Sequence, residues 1–159
     1  MTLVDIDAKD RLRIIKEARI VALVGVSANP IRASNFVASY LIRTDFVIYP
    51  VNPMYDEVLG LKAYSSLREL PEVPDIVDVF RRHDELPGVV DEAIDVGAGV
   101  VWFQLGLRHD EAAQKAIANG LRVVQDRCLK IEHARFAGGL HLGGFDTGVI
   151  TSKRRRPIG

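Results

Sequence analysis

From Gly25 to Ser34 the chain reads Gly-Val-Ser-Ala-Asn-Pro-Ile-Arg-Ala-Ser, directly after the unbroken apolar run Ile20, Val21, Ala22, Leu23 and Val24. An apolar strand that runs into such a turn and leaves it as a helix presents free backbone N–H groups at the helix start. Those groups, the hydroxyls of Ser27 and Ser34, the amide of Asn29 and the guanidinium of Arg32 are the chemistry of phosphate binding. Comparable residues follow later apolar runs. Asn52 and Pro53 come after Val51, Arg81 and Arg82 after Phe80, and Gly106 shortly after Gln104. With Val26, these positions make the candidate binding set.

A dinucleotide site would use the same place, and its fingerprint is testable. It needs the pattern GxGxxG and, about 20 residues on, an acid at the end of the second strand for the ribose hydroxyls. Here the run is Gly25-Val26-Ser27-Ala28-Asn29-Pro30, and the second strand ends in Asn52-Pro53. Both departures argue against a nicotinamide cofactor, and Arg32 and Arg81 favour a ligand richer in phosphate. No catalytic constellation accompanies the set. His83, His109, His133 and His141 lie in different segments without a metal-ligand spacing, so no metal is expected. The lone Cys128 has no recognisable base beside it in sequence and is expected to be a small buried hydrophobe.

The elements that position these residues follow from hydrophobic period. Apolar positions at helical spacing predict helices over residues 5–18, 34–43, 83–96 and 110–119, with a shorter helical stretch over 65–70. Asp84 is the expected N-cap of the third, and Gly97 its stop. Continuous apolar runs predict strands over 20–24, 46–51, 76–80, 100–103 and 121–125. Strands and helices alternating about every 25 residues predict right-handed crossovers and a parallel sheet. The expected fold is a doubly wound, Rossmann-like α/β domain of five parallel strands in the order 3-2-1-4-5, with helices on both faces. Ligands of such sheets bind outside the carboxyl ends of the strands, where the candidate set falls.

Five blocks in order and register, VGVSANPIRASNFVASYL, YPVNP, DIVDVFRR, VWFQLG and VVQDRCLKIEH, resemble the small stand-alone CoA-binding domain proteins. The fold of that family is that of the CoA-binding domain in the α subunit of succinyl-CoA synthetase. The resemblance spans about residues 14–135 and implies coenzyme A or an acyl-CoA as ligand. Carried over by position, it implies that Gly25, Ser27, Asn29 and Arg32 hold phosphates and that Asn52 and Pro53 border the adenosine. Phe80, Arg81 and Gln104 would line the path of the rest of the cofactor. Synthetase chemistry of that kind needs a phosphorylated histidine from a further domain, for which 159 residues leave no room. The expectation is therefore a binding protein. The alternatives are a ligase component that needs a partner, or a nicotinamide-dependent enzyme.

Composition sets the outer limits. A chain of 159 residues with 48% apolar content can fill one core. No apolar run approaches the about 20 residues of a membrane helix, and the N-terminus is acidic and mixed, so the expected location is the cytoplasm, away from membrane. Net charge is zero, yet four of the 21 basic residues are Lys153, Arg154, Arg155 and Arg156. The remainder is acidic, which argues against nucleic acid as a partner. A homo-oligomer stays open. Residues 1–137 are expected to form the domain, and residues 138–159, glycine-rich and then basic, a loosely held tail.

Overall fold

The computed structural model describes residues 5–139. Five parallel strands form its sheet: β1 (Ile20–Val24), β2 (Val47–Val51), β5 (Ile76–Val79), β6 (Val100–Phe103) and β7 (Arg122–Val124). Two two-residue strands, β3 (Glu57–Val58) and β4 (Leu61–Lys62), pair as a separate antiparallel hairpin. The helices are α1 (Ala8–Glu17), α2 (Ala33–Ile42), α3 (Leu86–Val96), α4 (Asp110–Ala118) and α5 (Leu129–Ala134).

Alternation along each strand sends side chains to two cores. Val21 and Leu23 of β1, Ile76 of β5 and Trp102 of β6 pack with Ile14 of α1, Val37 and Leu41 of α2, and Leu129 of α5. On the opposite face Ala22, Val24, Val77, Val101 and Phe103 meet Leu86, Val90 and Ala93 of α3 and three alanines of α4. Both faces are thus covered, which is why the strands read as continuous apolar runs. The α/β class and the parallel sheet agree with expectation.

The strand order does not. Counting only the five parallel strands, the sheet runs 2-1-3-4-5, in place of the expected 3-2-1-4-5. Pro50 supplies the physical reason. Val47 N–H donates to Arg19 O and Val51 O accepts from Gly25 N–H, so the odd residues of β2 bond to β1. Pro50 therefore faces away, and a strand whose outward backbone lacks an N–H belongs at an edge. The third strand instead lies against β1 on its other side, with all four residues buried. The Asp75 carboxylate fixes it there by accepting from the N–H groups of Arg19 and Ile20, each at 2.8 Å.

Two further elements differ from expectation. Residues 83–85 form a short 3-10 turn rather than the start of α3, and the helix begins at Leu86 with proline in its first turn. Pro87 suits that place because the N–H it lacks would be unpaired anyway. Asp84 consequently caps nothing, while Gly97 ends the helix in a left-handed conformation as expected. In α2, Phe36 fits the apolar period but is 64% exposed, with the Lys130 ammonium 5.3 Å from its ring centre. The basic run and nearly all of residues 138–159 lie outside the described residues.

Candidate functional site

The chain reverses direction at β1. Through α2 it travels outward to β2, and through residues 52–75 it returns past β1 to β5. In a doubly wound sheet the crevice at that reversal is where ligands bind. Its walls are the turn after β1 and the turn after β5. With the order 3-2-1-4-5, Gln104 would have faced Gly25; the observed order puts Phe80 and Arg81 there instead.

Gly25 closes β1 with φ +88°, a conformation that favours glycine. A Cβ at that position would stand 3.1 Å from Arg81 Cδ and 3.3 Å from Arg81 Cγ. The stem of Arg81 thus crosses directly over the glycine. Phe80, half-buried, continues the ladder by donating its N–H to Val24 O at 2.8 Å.

The turn from Val26 to Ser34 is shaped from within. Ser27 N–H donates to Ser34 Oγ at 2.9 Å, and Asn29 N–H donates to Ser27 Oγ at 3.0 Å. Asn29 Oδ1 accepts from Ile31 N–H at 3.0 Å, and Asn35 Nδ2 donates to Ser27 O at 2.9 Å. These bonds occupy the N–H groups of Ser27, Asn29 and Ile31, so the three side chains set the shape of the turn from within. Val26 is fully buried, an anchor under the turn. Arg32 stands exposed at the N-cap of α2 and makes no side-chain cap bond. The first turn of that helix carries no acidic residue, so nothing there opposes the positive end of its dipole.

Asn52 is buried and committed to structure. Its Nδ2 donates to Val26 O at 2.9 Å and its Oδ1 accepts from Met54 N–H at 2.9 Å, tying the loop after β2 to the turn after β1. Val51 is buried beneath this joint, and Pro53 is exposed beside it. Arg82 is exposed at the other wall. The two candidates after β6 stand one strand away and have local duties. Gln104 Oε1 accepts from Leu129 N–H at 3.0 Å at the start of α5, and Gly106 N–H donates to Asp126 Oδ1 at 2.7 Å in a turn with φ +88°.

Three residues outside the candidate set bear on this region. The Tyr55 hydroxyl lies 3.3 Å from Ser27 Oγ and bridges the loop after β2 to the turn after β1. The Glu85 carboxylate faces both arginines of the β5 turn, 3.8 Å from Arg81 Nε and 3.3 Å from a terminal nitrogen of Arg82. Asp78, in mid-β5 between Leu23 and Trp102, is fully buried with neither carboxylate oxygen bonded to another protein group. Burial holds its pKa well above the usual carboxylate range, favouring the protonated form. The sequence signal for Asp78 is an acid inside an apolar strand; for Tyr55 and Glu85 no local pattern marks them.

The other groups with reactive chemistry are placed elsewhere. Cys128 is buried at the N-cap of α5. His133 Nδ1 meets the Tyr40 hydroxyl at 2.8 Å between α2 and α5. His83 and His109 stack at the sheet rim with ring centres 4.6 Å apart, and His109 Nδ1 accepts from Ala112 N–H to cap α4. Among the described residues, no group of three histidine, cysteine or acidic side chains is arranged to hold a metal ion.

The chain has relatives in sequence and in structure. The uncharacterized protein YneT of Bacillus subtilis (strain 168) is 43% identical over 121 residues, covering 76% of this chain and 90% of that protein. A hypothetical protein from Pyrococcus horikoshii OT3 superposes with TM-score 0.80 at 37% identity, over 86% of this chain and 98% of its own. The acetate–CoA ligase (ADP-forming) of Methanocaldococcus jannaschii is 27% identical over 130 residues. That match takes in 76% of this chain but spans only 18% of the ligase. The model of the CoA binding domain matches residues 19–134, from the residue before β1 to the end of α5. The walls of the crevice all fall inside that span, and the chain belongs to the CoA binding domain family.

Proposed function

We propose that the chain binds coenzyme A, free or acylated, in the crevice between the turns after β1 and β5. The observation that carries this reading is the placement of Arg81 across Gly25, beside a turn that leads into a helix start with no acid in its first turn. A pyrophosphate and a 3′-phosphate suit such a place, because charge-assisted hydrogen bonds to N–H groups and guanidinium are the stronger ones. Arg32 at the N-cap of α2 and Arg82 beyond Arg81 supply further cations at its border.

Asn52 bears on the nicotinamide alternative. A ribose-binding acid would sit near the end of β2, where this chain has an amide whose oxygen and nitrogen are both bonded to backbone. The ADP-forming ligase carries its matching region within a much longer chain, so its reaction is not assigned to this one. A thermal-shift series with CoA, acetyl-CoA, NAD and NADP tests the reading. CoA or acetyl-CoA should raise the melting temperature while NAD and NADP leave it in place; an equal or larger shift with NAD overturns it.

A further inference from the structure

The Glu85 carboxylate is arranged around the two arginines that flank the crevice. One oxygen lies 3.8 Å from Arg81 Nε and the other 3.3 Å from Arg82. Arg81 is constrained from the opposite side as well, since its stem packs over Gly25. Its free motion is therefore a swing of the guanidinium, between Glu85 on its own turn and whatever anion enters beside the turn after β1. Glu85 itself is partly exposed, and its position three and four residues after the arginines, across the 3-10 turn His83–Glu85, keeps it within reach of both.

We propose that Glu85 is an internal placeholder for the ligand's phosphate: it pairs with Arg81 and Arg82 in the empty protein and yields them when a more highly charged anion arrives. This inference rests on the CoA reading above and assigns a specificity role to a residue that does not itself contact the ligand. A carboxylate carries one negative charge and competes well against another carboxylate. Against a pyrophosphate or a phosphate monoester it loses, because each guanidinium gains a more highly charged partner. The crevice thereby rejects monocarboxylate anions while admitting phosphorylated ones.

The placeholder is worth little in each contact, since exposed ion pairs contribute modestly, so its signature is a gain in affinity when it is removed. Glu85→Gln keeps the shape and removes the charge. By calorimetry at low salt, Glu85→Gln should bind CoA about three-fold more tightly than the unaltered chain, the scale of an exposed pair. Acetate should also begin to compete with CoA in that variant. In a chain carrying Arg81→Ala and Arg82→Ala, the same Glu85→Gln change should alter CoA affinity far less, because there is no pair left to release. Unchanged or weaker binding in Glu85→Gln, at an unchanged melting temperature, overturns the proposal. So does an equal gain with both arginines removed, which would make Glu85 only a distant negative charge. If the unaltered chain binds no CoA at all, the CoA reading fails first; binding without these differences sinks the placeholder alone.

Discussion

At Gly25 two constraints meet that the sequence presents separately. A glycine after an apolar run marks a turn, and an arginine after another apolar run marks a cation, but their contact depends on β5 lying beside β1. With the strands in another order the same two residues would stand apart, so the nominations were legible and the contact was not. Gly25→Ala should lower stability by about 1–2 kcal/mol for the left-handed backbone alone, and it should also weaken CoA binding by pushing Arg81 aside. Urea denaturation and calorimetry on the same variant check both. Arg32→Ala, at the start of α2, should weaken CoA by roughly 1.5–3 kcal/mol, the scale of a hydrogen bond to a charged group, with an unchanged melt. Asp78 makes a different prediction. Its folded pKa is raised, so below the unfolded value near pH 4 both states hold the proton and nothing is lost. As pH rises the unfolded chain ionises freely while the folded one must keep its proton. Stability then falls by up to about 1.4 kcal/mol per pH unit until the folded pKa is passed. Asp78→Asn should remove that slope, so the difference in unfolding free energy between variant and parent should grow as pH rises above the unfolded carboxylate value.

Among the elements, the long apolar strands and the helices α1 to α4 follow from period, because each is covered by a core that selects one face. The hairpin of β3 and β4 has no such signature. Its strands are two residues long, and its turn is Leu59-Gly60, both at positive φ, in a place where leucine is an uncommon choice. Helix α5 is only six residues and is held by partners distant in sequence. Chief among them is Arg11 of α1, whose Nε donates to Glu132 Oε1 at 2.7 Å with both side chains buried. Arg11 also donates to Ile6 O, and Arg135 reaches the other Glu132 oxygen at 3.5 Å. No pattern in either helix announces a pair 121 residues apart. Removing one member leaves a buried charge without its partner, so Glu132→Ala should cost about 3–5 kcal/mol in unfolding free energy. Replacing Arg11 and Glu132 together by apolar residues should recover much of that loss, a contrast that chemical denaturation resolves.

For the whole molecule, class and layer arrangement were readable because five apolar runs alternate with amphipathic ones, and an α/β sandwich satisfies that pattern. Strand order was not readable from period alone, although Pro50 carried the needed fact in a single residue. The domain boundary drawn at Ala137 falls within the wide turn at Arg135–Gly139, just after Phe136, which is buried in the α1–α2–α5 core. A chain ending after Ala137 keeps that phenylalanine and should fold and bind CoA, with at most a small, salt-sensitive loss; an insoluble product would move the boundary outward. The bonds from Arg19 and Ile20 to Asp75 reach further than register. They join β1 to the central strand β5 across more than fifty residues of chain, so that pairing is non-local. Closing a loop of that length costs about 3.5 kcal/mol in chain entropy before any packing repays it. The domain should therefore refold more slowly than helical proteins of its size. Proteolytic nicking between β2 and β5 before folding should prevent assembly far more effectively than the same cut made afterwards.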